Sequence, residues 1–259
     1  MKSKIRYEER GSLVTLTLDD PATKNALADD MLDDLLAALE RASGDDSVRV
    51  IVLRSSDPKV FSSGGNLKSF IDDRPLMEKY AGLGRFPRLY EVIANTGKPV
   101  VCAAEGDVLA GAFGLALACD FIVATDDAKF GCPEINVGVF PFMISALIYR
   151  SVPRSKANEL MMTGELISAS EASRLDIVNR VVPHEEFEST LEALVSRLAS
   201  RSPLMMSLGK NALTATRDMP FSEALEYLRA QLALVFTTED LGEGVRALLE
   251  KREPEWQGK

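Results

Sequence analysis

Two glycine-rich stretches hold the residue types with the plainest chemical use. One is Phe61-Ser-Ser-Gly-Gly-Asn-Leu67, which follows an apolar run at 48–53. The other is Leu109-Ala-Gly-Ala-Phe-Gly114, which follows an apolar run at 100–104. Glycine lets a backbone turn sharply and approach a ligand closely. Two such turns can each direct one peptide N–H at a common point. A converging pair of N–H donors stabilises negative charge growing on a thioester or ester oxygen.

A candidate proton carrier lies further along, in Phe130-Gly-Cys-Pro-Glu-Ile-Asn-Val-Gly138. Pro133 sets the approach to Glu134, and Ile135, Val137 and Val139 crowd around it. Apolar walls strip water from a carboxylate and raise its pKa. A raised pKa suits a group that both takes and returns a proton. The same local sequence also fits a strand-end Glu that faces solvent or pairs with an Arg, and both readings stand here.

Other chemistries lack their residues. The single histidine, His184 in Val-Val-Pro-His-Glu-Glu-Phe, reads as a turn entering a helix. No Gly-x-Ser-x-Gly elbow accompanies it, so a Ser–His–Asp triad has no place. One His and no Cys-x-x-Cys leave no Cys/His metal site. Gly209-Lys-Asn211 lacks the upstream Gly and the hydroxyl of a phosphate loop, and Gly82-Leu-Gly84 lacks the third Gly of a dinucleotide turn. Cys102, Cys119 and Cys132 sit in apolar contexts and read as core residues; a nucleophilic Cys132 is the competing reading. What remains is carboxylate chemistry beside paired amides.

The elements that must position these residues alternate. Residues 12–18 alternate and are β-rich, 19–25 form a turn cluster, and 27–41 read as a helix ended by Gly44. Leu32, Leu35, Leu36 and Leu39 share one helix face, with Asp29, Asp30, Asp33 and Asp34 on the solvent side. Strands are expected at 48–53, 100–104, 121–124 and from Lys129, and helices at 110–119 and 142–149. Near-continuous apolar strands alternating with helices imply an α/β core with a buried sheet. Ser168 and Glu171 stand at capping-box spacing. From Glu185 to Lys251 the pattern is helical, broken at Ser202-Pro203, at Asp218-Met-Pro220 and at Thr237-Thr238. This divides the chain into a core, 1–199, and a C-terminal helical region, 200–259.

With 259 residues, 46% of them hydrophobic, the chain can bury a large core. Its net charge of −9 argues against nucleic acid or an anionic membrane as partner. The charged opening, residues 1–10, has no apolar run of an export signal. With an odd number of cysteines, it leads to the expectation of a reduced, cytoplasmic protein.

With these residues placed, the chain resembles the crotonase superfamily, the enoyl-CoA hydratase/isomerase group, over essentially its whole length. The resemblance rests on several segments in order. They are Lys24-Asn-Ala-Leu27, Phe61-Ser-Ser-Gly-Gly-Asn-Leu67, Glu105-Gly106 leading to Gly111 and Ala118-Cys-Asp120, and Phe130-Gly-Cys-Pro-Glu134. Leu160-Met-Met-Thr-Gly164, and Ala172 on to Val178-Asn-Arg-Val-Val182, complete the series. It implies a spiral of ββα units with a C-terminal helical trimerisation region, assembled as a homotrimer or hexamer. It also implies that the amides of Gly65 and Gly111 hold an acyl-CoA thioester oxygen as its enolate forms, with Glu134 as the acid/base.

Two positions depart from the family pattern. Hydratases of this group commonly carry two glutamates, and the position of the first is Gly114 here. The Asp usual after the first turn is Asn66. With Glu134 as the single acid/base, a 1,3-proton shift (Δ3,Δ2-enoyl-CoA isomerisation) is the simpler chemistry, and single-glutamate hydration stays open. Other enolate reactions, decarboxylation or C–C cleavage, and a non-catalytic acyl-CoA binder are the competing readings. For CoA, which is part of the substrate rather than a cofactor, the resemblance implies contacts at Lys24, Ala26, Leu27, Ser63, Gly64, Asn66, Leu67 and Lys68. It adds Phe236 and Lys251 from late helices, with their own chain and a neighbouring subunit as the two alternatives for the CoA they contact. Phe140, Phe142 and Met143 are expected to wall the acyl tail, with ordinary helix packing as the other reading.

Overall fold

The structure is a computed structural model and describes residues 3–259. Its first two strands, β1 (Ile5–Arg10) and β2 (Leu13–Leu18), form an antiparallel hairpin. Helix α1 (Asp29–Gly44) follows. Then comes a repeat of two strands and a helical stretch. The first pass is β3 (Val50–Ser55), β4 (Val60–Ser62), α2 (Leu76–Leu83) and α3 (Arg85–Asn95). The second is β5 (Val100–Ala104), β6 (Asp107–Leu109) and α4 (Gly111–Ala118). The third is β7 (Phe121–Thr125), β8 (Lys129–Gly131) and α5 (Phe142–Ser151). Each pass gives its first strand to one sheet, of order β1-β2-β3-β5-β7 and then β10, and its second to another, of order β4-β6-β8-β9. This is the expected spiral of ββα units. The chain continues through α6 (Arg154–Thr163), β9 (Ile167–Ser168), α7 (Ala169–Arg174), β10 (Arg180–Val182) and α8 (His184–Ala199). It ends in α9 (Pro203–Thr216), α10 (Phe221–Val235) and α11 (Glu239–Glu250).

The large sheet is buried on both faces, and the period of two sorts its side chains. Ile51, Leu53, Val100, Cys102, Ala104, Ile122 and Ala124 face the main core, with α1 and α4. Val50, Val52, Val101, Ala103 and Val123 face the other way, where Phe187, Leu191, Leu194 and Val195 of α8 cover them. Strand segments so enclosed must be apolar on every residue, which is why 50–53 and 100–104 show no alternation. β1 was not expected from its charged sequence. It is an edge strand exposed along most of its length, and charge there blunts pairing with other chains.

Two local expectations are corrected. α1 begins two and ends three residues later than 27–41. Its aspartates are not simply solvated. Asp33 pairs with Arg85 at 2.7 Å, Asp29 with Arg74 at 2.8 Å and Asp30 with Lys4 at 2.9 Å. The pairs on Arg74 and Arg85 bracket α2, so they fasten the segment that leads into α3. The breaks between the late helices fall where expected, with Ser202 and Thr238 accepting N-cap bonds from Met205 and Leu241. Ser168 likewise accepts from the Glu171 amide at 3.2 Å.

Candidate active site

The first glycine turn is wired to the segment before α1. Asn25 donates to the Phe61 carbonyl at 3.3 Å and to Ser55 Oγ at 2.8 Å. Ser62 Oγ donates to the Asn25 carbonyl at 2.6 Å. The Ser63 amide bonds the Lys24 carbonyl at 3.0 Å, and the Leu27 amide bonds the Gly64 carbonyl at 2.8 Å. Lys24 and Asn25 take left-handed backbones to make this fit. The two stretches expected to flank CoA, 24–27 and 63–67, therefore lie side by side.

The second turn packs directly on the first. Gly64 has φ +84°, and a Cβ there would lie 2.5 Å from Ala110 Cβ, 2.7 Å from the Leu109 carbonyl oxygen and 2.9 Å from the Gly111 nitrogen. Glycine is required for both conformation and approach. Ala110 sits at φ 52°, ψ −127°, a strained backbone for a residue with a Cβ, worth about 1–3 kcal/mol. That twist starts α4 at Gly111, so the Gly111 amide is one of the unbonded N–H groups of a helix start, where the helix dipole is positive. Among the described residues neither the Gly65 nor the Gly111 amide donates a backbone hydrogen bond. A Cβ at Gly111 would sit 3.5 Å from the Gly65 nitrogen, so the two free amides are neighbours.

Both glycines line one cavity of about 260 Å³ together with Glu134. Glu134 opens a short 3-10 helix, Pro133–Val137, not a strand end. Its residue is half-buried, and its Oε2 is fully buried with no hydrogen-bond partner among the described residues. Loss of hydration pushes its pKa up to about 7, against a weaker opposing effect of its own backbone amide. Among the described residues no Lys, Arg or His lines the cavity. Negative charge developing inside it is met by neutral dipoles, the backbone amides foremost, rather than by a cationic side chain.

The rest of the wall is apolar. Phe140 and Phe142 pack at a tilt with ring centroids 5.2 Å apart, and Met143, Ile144, Val137, Leu67 and Phe86 complete it. Phe142 is 75% exposed although it lines the cavity, so it stands at the mouth. The fold and this constellation invite comparison with known proteins, and a family model described as enoyl-CoA hydratase/isomerase matches residues 8–259. The chain belongs to the enoyl-CoA hydratase/isomerase family. It is 34% identical over 248 residues to a putative enoyl-CoA hydratase of Thermus thermophilus, covering 95% of this chain and 98% of that one. It is 33% identical over 264 residues to carnitinyl-CoA dehydratase of Escherichia coli, covering 100% of both. The crystal structure of an enoyl-CoA hydratase from Mycobacterium smegmatis superposes with a TM-score of 0.94 at 32% identity, covering 98% of this chain and 99% of that one.

Within this member of the family, the expected site residues fall into three sets. Ser63, Gly65, Leu67, Gly111, Glu134 and Phe142 line the cavity. Lys24, Ala26, Leu27, Gly64, Asn66 and Lys68 flank it through the backbone wiring above; Asn66 caps the short helix Leu67–Phe70 by accepting from the Lys68 amide at 3.1 Å. Phe236 and Lys251 end α10 and α11, are exposed, and do not reach the cavity of their own chain.

Sequence reasoning missed Tyr90. It projects from α3 one helical turn beyond Phe86, lines the cavity, and has a buried hydroxyl with no partner among the described residues. A Cβ added at Gly114 would lie 2.5 Å from that oxygen. The available signal was the spacing Phe86, Leu89, Tyr90, Ile93, an inward helix face that contains one polar atom.

Proposed function

We propose that this chain is an enoyl-CoA hydratase or Δ3,Δ2-enoyl-CoA isomerase in which the amides of Gly65 and Gly111 hold the thioester oxygen and Glu134 carries the proton. The carrying observation is the pair of free, adjacent amides in one apolar cavity with a carboxyl poised near neutral pH. Such donors act where charge develops in the transition state, and losing one typically costs about 10²–10³ in rate. In hydration, Glu134 takes a proton from water and the oxygen bonds the β-carbon. The double-bond electrons pass to the thioester oxygen, and the resulting enolate takes the proton back at its α-carbon. In isomerisation, Glu134 removes an α-proton, the amides hold the dienolate, and the proton returns two carbons away. Family membership and the named relatives support acyl-CoA chemistry of this kind; the dehydratase among them favours the water-handling branch.

CoA runs along 24–27 and 63–68, with Lys24 and Lys68 near its phosphates. No separate cofactor is part of this reading. The helical region 200–259 is assigned to assembly as a trimer or a pair of trimers. Supporting this, Leu225, Leu228, Leu232 and Leu234 of α10 and Leu248 and Leu249 of α11 are exposed. Assembly would also give Phe236 and Lys251 a CoA to meet on a neighbouring copy. A cytoplasmic location goes with this reading.

The test follows conjugated-thioester absorbance with trans-2-enoyl-CoA and 3-enoyl-CoA substrates. Loss of signal from the first reports hydration, and gain from the second reports isomerisation. Glu134→Gln abolishes either reaction. Full activity in that variant removes Glu134 as the proton carrier, and tight acyl-CoA binding without turnover in the wild type points to a binder.

A further inference from the structure

We infer that Tyr90 is the second hydrogen-bonding group of this site, and that its hydroxyl and Glu134 together hold the oxygen atom that joins or leaves the β-carbon of the acyl chain. The inference rests on the Proposed function and sharpens it, because it selects hydration and its reverse over isomerisation.

Among the described residues, four buried side-chain polar atoms besides that of Glu134 lack partners, those of Tyr7, Ser56, Tyr90 and Thr96. Of these residues only Tyr90 lines the cavity that Glu134 lines. A buried hydroxyl without an acceptor is destabilising, as is a buried carboxyl oxygen without a donor. Two such atoms on one apolar cavity call for a small polar group between them. Neither is satisfied by the other, since no hydrogen bond joins them, yet the Glu134 charge is felt at the phenol and helps raise its pKa together with burial. The phenol therefore stays protonated and acts as a neutral O–H group.

The geometry around Gly114 shows how the phenol is placed. A side chain at 114 would collide with Tyr90 Oη at 2.5 Å and, closer still, with the Ile144 side chain. Glycine at 114 leaves the volume into which Tyr90 reaches from α3. Phe86, one turn earlier on α3, has its ring centroid 6.4 Å from that of Tyr90, and its edge would lie 2.9 Å from a Cβ at Gly111. One helix face thus supports both the amide turn and the hydroxyl.

The balance of the step is simple. Water sits between Tyr90 and Glu134. One of its protons passes to Glu134, and its oxygen bonds the β-carbon. The carbon–carbon double-bond pair moves toward the thioester oxygen at the Gly65 and Gly111 amides, and the proton on Glu134 then goes to the α-carbon. Tyr90 neither gains nor loses a proton overall. It holds the oxygen by hydrogen bonds. A 1,3-proton shift has no such oxygen and makes no use of it.

The experiment uses full-length wild type, Tyr90→Phe and Glu134→Gln. Readouts are hydration of trans-2-enoyl-CoA from C4 to C12, exchange of the α-hydrogens of butanoyl-CoA into D₂O, and Tm. Tyr90→Phe removes only an oxygen that has no protein partner among the described residues, so its Tm is equal or higher. Its hydration kcat falls about 10- to 100-fold with KM within about threefold, the size expected when a bound polar group loses its partner. Its α-exchange, which involves no β-oxygen, stays within about twofold. Hydration kcat within twofold of wild type, or equal losses of hydration and exchange, overturns the inference and leaves Glu134 untouched. A wild type that isomerises 3-enoyl-CoA but hydrates no 2-enoyl-CoA also overturns it. Retained hydration in Glu134→Gln instead overturns the proton-carrier reading on which it rests.

Discussion

Glu134→Gln is expected to remove activity while stabilising the protein, by an amount that grows as pH rises above 4.5 and is complete above about 7. The carboxyl titrates at 4.5 when unfolded and at about 7 in the folded cavity. Below 4.5 both states hold the proton and the group contributes nothing. Between the two values the folded state holds more protons than the unfolded state, so stability falls as pH rises. Above about 7 both states are ionised and the full penalty for the buried charge applies. The gap between those two values sets a ceiling of about 3 kcal/mol. The residue is half-buried, and partial solvent screening reduces this to about 1–2 kcal/mol. For 259 residues the unfolding entropy is about 0.5 kcal/mol per degree, so the variant melts about 2–4 °C higher at pH 8. Near pH 4.5 the gain vanishes. Thermal melts of both proteins at pH 4.5 and pH 8 make the comparison. Any fixed effect of placing an amide in the cavity cancels in the difference between the two pH values. Equal shifts at both, or a loss of stability confined to pH 8, would show that Glu134 is not a strained, desolvated acid.

Other expectations can be checked alongside. Hydration kcat/KM should rise with pH to a plateau with a midpoint near 7, because the free enzyme must start with Glu134 ionised; a midpoint near 4.5 would argue against it. Gly64→Ala should lower the rate about 10²–10³-fold and lower Tm, since its Cβ would wedge the two amide turns apart; activity within a few-fold of wild type would mean their contact does not matter. Arg252, just beyond α11, holds the carboxyl of Glu243 in that helix down to about 2 through two hydrogen bonds. That contribution is fully present above about 4.5 and is lost as pH falls toward 2. Arg252→Met should therefore lower Tm at pH 7 and have less effect at pH 3, as read by paired melts.

Much of the candidate site could be read from residue order alone. Gly64, Gly65 and Gly111 stand out because backbone approach leaves a mark in composition: only glycine serves at φ +84° against another chain segment. Glu134 was visible because its apolar neighbours are also neighbours in sequence. The core strands announced themselves through unbroken apolar runs, the consequence of burial on both faces.

What the chain order could not reveal depends on contacts between distant segments. The strand sorting into two sheets, and the division of alternate residues of β3 and β5 between two cores, arise from packing against α8 and α1, far away in sequence. Ala110 gives no hint of its strained backbone, which the surrounding turns impose on it. Tyr90 lies 44 positions before Glu134 on a helix whose pattern reads as ordinary core, and only folding puts its hydroxyl over Gly114 and on the cavity of Glu134. Local chemistry and backbone permissiveness are properties of short segments and survive in the sequence. An unsatisfied hydroxyl is a property of its surroundings, and those exist only once the chain has closed around it.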